Sequence, residues 1–83
     1  MKFSRRSETL SISGQDVTVF ELSVSEFAAV TAIEDETGQG LELLRASLNG
    51  VATVEEIGDW PNSIAKQITD AVLSINGLTD PGN

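Results

Sequence analysis

The chain has 83 residues, 13 acids against 5 bases for a net charge of −8, and neither Cys nor His. That length holds one domain, and the missing residue types exclude disulfides, thiolate or imidazole metal sites and the commonest general base. So short a chain buries only about 60% of its unfolded surface, so either a partner subunit completes the core or a small core suffices alone.

The charge is unevenly spread. Lys2, Arg5 and Arg6 open the chain, whereas Glu8 to Asp59 holds eleven acids and a single base, Arg45. Phosphate recognition needs clustered bases, so nucleic-acid binding is not expected. The acidic surface reads either as a solubilising coat or as a face that docks a basic partner or imitates nucleic acid. No apolar run follows the basic start and none approaches 18 residues, so neither a secretory leader nor a membrane span is expected and the default location is cytoplasmic.

Residues 1–7 read as a flexible basic arm. A β-hairpin is expected over about 8–21. Leu10, Ile12, Val17 and Val19 alternate with polar neighbours, the period of a half-buried strand. Placing Gly14-Gln15 in a type II′ turn pairs Ile12 with Val17 and Leu10 with Val19, all four on one face. A lone hairpin is marginal in water, so that face must rest on helices or on another subunit.

Three to four short helices in a small bundle are expected to follow. Ser23 and Glu26 form a capping box flanked by Leu22 and Phe27 as a hydrophobic staple, opening a helix over about 24–35. Its Ala-rich, apolar surface suits a buried element or one shared between subunits. Glu34-Asp35-Glu36 would oppose the dipole at a helix C-terminus, so a flexible connector is expected through Gly40. A calcium loop there fails on ligand spacing. Leu41, Leu44 and Leu48 share a helical face, giving a helix over about 41–49 closed by Asn49-Gly50 with Gly as the left-handed residue. Thr53 and Glu56 form a second capping box over about 54–58, with Ala52 and Ile57 as staple. Pro61 starts the last helix, about 61–76. Ile64, Ile68, Ala71, Val72 and Ile75 form its apolar stripe, and Gly77 with Leu73 and Leu78 forms a Schellman stop. The recurrence of Asn-Gly at 49–50 and 76–77 reads as convergent capping and not as a repeat. Residues 79–83 read as a disordered tail. The fold class is thus α+β, mostly α, in one domain over 8–78.

No nucleophile stands beside a plausible base, and carboxylate pairs arise by chance among so many acids, so no catalytic residue, metal or cofactor is assigned and an enzyme is not expected. Trp60 either covers one end of the core or serves as an interface hot spot; Phe27 shares that ambiguity.

The order of these elements carries a resemblance. Phe20-Glu21-Leu22-Ser23-Val24-Ser25-Glu26-Phe27 opens a helix after a hairpin. Leu41-Glu42-Leu43-Leu44-Arg45-Ala46-Ser47-Leu48-Asn49-Gly50 and Thr53-Val54-Glu55-Glu56-Ile57-Gly58-Asp59-Trp60-Pro61 follow. A last helix ends in Ile75-Asn76-Gly77-Leu78. Over about 16–78 this resembles the small tail assembly chaperones of long-tailed bacteriophages, in particular the short type of contractile-tailed phages. The resemblance implies a non-enzymatic, self-associating protein of the infected host's cytoplasm. Such a protein coats the tape measure protein until tail tube subunits replace it, and is absent from the mature virion. It further implies a longer frameshifted form that contacts the tail tube protein. The residues assigned to a partner interface are Phe27, Trp60, Ile64, Ile68, Val72 and Ile75. Two other readings stand beside it: an acidic inhibitor mimicking nucleic acid, through Glu26, Glu34 and Glu42 at eight-residue spacing, and a small structural component of the tail or head–tail joint.

Overall fold

A computed structural model describes residues 1–78; the tail expected over 79–83 lies outside them. The architecture is α+β and mostly α. Strands β1 (Ser7–Ile12) and β2 (Gln15–Phe20) form an antiparallel hairpin, followed by helices α1 (Val24–Thr31), α2 (Glu36–Ser47), α3 (Val54–Gly58) and α4 (Asn62–Ile75).

The hairpin closes one residue earlier than the Gly14-Gln15 turn implies. Ser13 and Gly14 occupy the loop with φ of 51° and 78°, the paired positive values of a type I′ turn, whose twist matches that of the strands. Leu10 therefore faces Val17 and Ile12 faces Gln15. The shift in register is two residues, so Leu10, Ile12, Val17 and Val19 keep one common face. This register also aligns Thr9 with Thr18, whose hydroxyls lie 2.9 Å apart. It extends the ladder to Arg6, whose carbonyl accepts from Glu21 N–H at 2.8 Å.

The acidic run 34–36 begins a helix instead of ending one. α1 stops at Thr31. Asp35 is the N-cap of α2, its side chain accepting from Gly38 N–H at 2.8 Å, and Glu36 lies in the first turn where the helix dipole favours a carboxylate. The connector expected through Gly40 is thus the first turn of α2. Gln39 Nε2 donates to the Ile33 carbonyl at 2.5 Å and ties the two helices at this corner.

Both capping boxes are formed, at Ser23/Glu26 and Thr53/Glu56. The two Asn-Gly stops differ. At the end of α2 the residue after the cap is Asn49 (φ 57°), with Gly50 (φ 77°) beyond it. At the end of α4, Asn76 is itself the cap in right-handed backbone, and Gly77 (φ 70°) takes the left-handed place. Leu78 N–H then donates to the Leu73 carbonyl at 2.8 Å and Gly77 N–H to Ser74 at 3.1 Å, a Schellman closure. The same dipeptide is used one residue out of phase.

The core lies between the apolar hairpin face and helices α2 to α4. Ile12, Val19, Leu44, Leu48, Ala52, Ile57, Ile68 and Val72 form its buried cluster. The hairpin thus covers the stripe of α4. α1 is peripheral, with only Val30 buried; of the two readings of its apolar composition, burial within the chain's own core is not found. Among the described residues no helix is long and apolar enough to cross a membrane.

Candidate functional site

The six residues assigned to an interface divide by burial. Ile68, Val72 and Ile75 are buried in the protein's own core, so the middle and end of the α4 stripe are spent on folding. Phe27, Trp60 and Ile64 retain surface. The structure brings Trp60 and Ile64 to one depression and leaves Phe27 at another.

The first depression is built by the start of α1. Ser23 ends the extended segment after β2, and its capping box turns the chain into the helix. This leaves Val24 at N1 pointing away from the core, 89% exposed, and Phe27 39% exposed. Leu78, carried back by the Schellman turn of α4, is 46% exposed. Together with Leu22 and Asn76 these side chains line a hollow of about 260 Å³. Asn76 fixes its geometry. Its Oδ1 accepts from Leu22 N–H at 2.9 Å and its Nδ2 donates to the Val72 carbonyl at 2.8 Å. Sequence reading treated Asn76 as a cap alone, because its second partner lies 54 residues away.

Trp60 forms a ridge between two further depressions. The gap left by Gly58 and Pro61 between α3 and α4 places the indole against the core cluster and beside β2. On one side Ile12, Val17, Pro61 and Ile64 line a hollow of about 240 Å³. On the other, Val17, Phe20, Leu48, Val51, Ala52 and Trp60 line a groove of about 510 Å³. Trp60 therefore covers part of the core while lining both depressions.

Two of the three basic residues at the start of the chain are engaged. Arg5 pairs with Glu26 at 2.9 Å, and Arg6 with Glu21 at 3.6 Å. Arg6 Nη2 also donates to the Ile75 carbonyl at 2.6 Å. The last turn of α4 holds no basic residue of its own, so Arg6 supplies the cation that the negative end of the helix dipole favours. Sequence periodicity had no means to show a contact spanning 69 residues.

The three evenly spaced acids are not equivalent. Glu26 is held by Ser23 N–H and by Arg5. Glu42 is hydrogen-bonded by Arg45, which holds its carboxyl below the usual carboxylate range despite partial burial. Glu34 is exposed and sits in the α1–α2 corner. A row of equally spaced free carboxylates, which imitation of a phosphate backbone requires, is not what these positions present. Among the described residues no three metal-ligating side chains converge.

The assembled surface offers shallow apolar depressions on an acidic body. What these depressions offer is apolar contact and exclusion of water. No protein-family model, curated protein or solved structure matches the chain.

Proposed function

We propose that this protein is a non-enzymatic tail assembly chaperone of a bacteriophage, which binds the tape measure protein and keeps it soluble until tail tube subunits polymerise around it. The observation that carries the reading is the exposed Val24, Phe27 and Leu78 cluster beside the hollow at the start of α1, on a chain whose hairpin-then-helices order is the one on which the family resemblance rests.

The physical logic is that of a weak, repeated holdase. The resemblance implies a long client, and a helical client would present apolar residues at three- and four-residue spacing. One such face fits a shallow hollow flanked by apolar side chains, as an amphipathic helix fits a groove. A hollow of this size gives low affinity per copy. Many copies along one client retain it by multivalency, yet each copy can be displaced singly as tube subunits arrive. The surrounding carboxylates keep the coated client dispersed. In this reading the protein works in the host cytoplasm and is absent from the finished particle. A longer frameshifted form would bring the tail tube protein to the same client.

The test is co-expression with the tape measure protein encoded beside it. A soluble complex should form with the natural sequence and be weakened at least tenfold by Phe27→Asp, whose fold is checked by circular dichroism. Absence of both a complex and any gain in client solubility would sink the proposal. Mass spectrometry of purified particles should find none of this chain; stoichiometric recovery there would instead make it a structural component.

A further inference from the structure

The hairpin has an open edge. In the observed register, Ile12 with Gln15, Leu10 with Val17 and Glu8 with Val19 are the hydrogen-bonded pairs of an antiparallel ladder closed by a two-residue turn. The backbone groups of Asp16, Thr18 and Phe20 therefore point away from β1. Among the described residues none of them makes a backbone bond elsewhere. Such an edge is a template for another strand. It borders the groove beside Trp60, whose opposite wall is Leu48, Asn49, Val51 and Ala52. Val51 is 84% exposed on that wall.

The complement to this groove is present in the chain itself. Met1-Lys2-Phe3-Ser4 alternates apolar and polar residues with the period of a strand. Met1 and Phe3 are the most exposed large apolar side chains after Val24 is set aside, Phe3 at 86%. Residues 1–6 carry three bases and no acid, leaving 2 bases against 13 acids, a net −11, for residues 7–83. At the groove, Asp16 and the Asp59 that precedes Trp60 have no ion-pair partner among the described residues. Within one chain the two features do not meet. Arg5 and Arg6 hold the arm toward Glu26 and Glu21, and no arm residue lines the groove.

We propose that Met1–Ser4 of a second copy lies as an added strand along the outer edge of β2, with Met1 and Phe3 over Leu48, Ala52 and Trp60 and Lys2 beside Asp16. The alternation fits the edge. Asp16 and Thr18 stand on the solvent face of the hairpin, where Lys2 would lie, and the apolar residues of the arm turn inward to the groove. Backbone hydrogen bonds supply affinity and the alternate side chains supply selectivity, as in other strand additions. The contact needs no client.

Trp60 is the single Trp, so its fluorescence reports occupancy of the groove. Light scattering and sedimentation of the purified full chain, from micromolar to millimolar concentration, should show association that shifts Trp60 emission to the blue and weakens with salt. Lys2→Glu and Asp16→Lys should each weaken association about fivefold, the scale of a rim ion pair, and the double variant should recover most of it. Phe3→Asp should weaken it more than tenfold. These positions are exposed, and unchanged circular dichroism will verify folding. A synthetic Met1–Arg6 peptide added to the Phe3→Asp protein should restore the blue shift. A chain that stays monomeric at low salt and millimolar concentration overturns the proposal. So does association that survives Phe3→Asp but is lost in Val24→Asp, which would place the contact at the α1 hollow. Because no client is present, either result leaves tape measure binding a separate question.

Discussion

Replacing Asn76 by Ala should cost about 2 kcal/mol, although Asn76 contributes little to the apolar core. The side chain serves two backbone groups. Leu22 N–H donates to Oδ1 at 2.9 Å, and Nδ2 donates to the Val72 carbonyl at 2.8 Å. The consequences of their loss are unequal. The Val72 carbonyl still accepts from Asn76 N–H at 3.2 Å, so only a second bond is lost, roughly 0.5 kcal/mol or less by the usual net value. Leu22 is 8% exposed, and its N–H makes no other hydrogen bond among the described residues. Leaving it unpaired costs about 1–3 kcal/mol. For a domain of this size the sum lowers Tm by roughly 8–16 °C. The assay is urea unfolding followed by far-UV circular dichroism, with the m value checked for constancy. Asn49 provides the control, since it belongs to the same dipeptide in a different conformation. Asn49→Gly relieves a left-handed residue (φ 57°) and should be neutral or slightly stabilising. Asn76→Gly loses both bonds and should be at least as harmful as Asn76→Ala. Equal effects at the two positions, or an Asn76→Ala within about 0.5 kcal/mol of the parent, would refute the bridging role.

Three other substitutions test separate parts of the fold. Ser47 is fully buried and its hydroxyl has no hydrogen-bond partner among the described residues; Ser47→Ala removes a desolvated polar group from a helix and should raise stability by about 1 kcal/mol in the same urea assay. Gly40→Ala meets open space within α2 and should gain about 1 kcal/mol, whereas a Cβ at Gly38 would lie 3.2 Å from the capping Asp35 Oδ2, so Gly38→Ala should gain nothing or lose stability. Glu42 is held below its ordinary value of 4.5, chiefly by the Arg45 hydrogen bond. Its contribution is complete above 4.5 and is lost as pH falls through the depressed folded value. With the two side chains 27% and 41% exposed, solvent screening limits it to under about 1 kcal/mol. Glu42→Gln should therefore lower stability slightly at pH 7 and flatten its decline below pH 4.5, measured by thermal melts across pH.

Features set by residues within about four positions of one another were legible in the sequence. Both capping boxes, the alternating faces of the hairpin, the start of α4 after Pro61 and the Schellman stop at Gly77 each rest on local geometry, which the chain specifies wherever it folds. Which apolar residues stay on the surface was legible only in part. Phe27, Trp60 and Ile64 keep exposure, but periodicity shows that Ile68, Val72 and Ile75 share a face without showing what covers it.

Tertiary structure decided what local signals left degenerate. The acidic run at 34–36 is a poor helix end and an equally good helix start; Asp35 bonding Gly38, with Leu44 and Leu48 packed in the core, selects the start despite two glycines that cost about 1 kcal/mol each. Both hairpin registers keep the four apolar residues on one face, so hydrophobic pattern had no power to choose. Ser13-Gly14 closes the turn because that register also pairs Thr9 with Thr18 and Arg6 with Glu21. Arg6 at the end of α4 and Asn76 beneath Leu22 join segments 69 and 54 residues apart. A contact of that span has no periodic signature, and it exists only once the hairpin has been laid across the last helix.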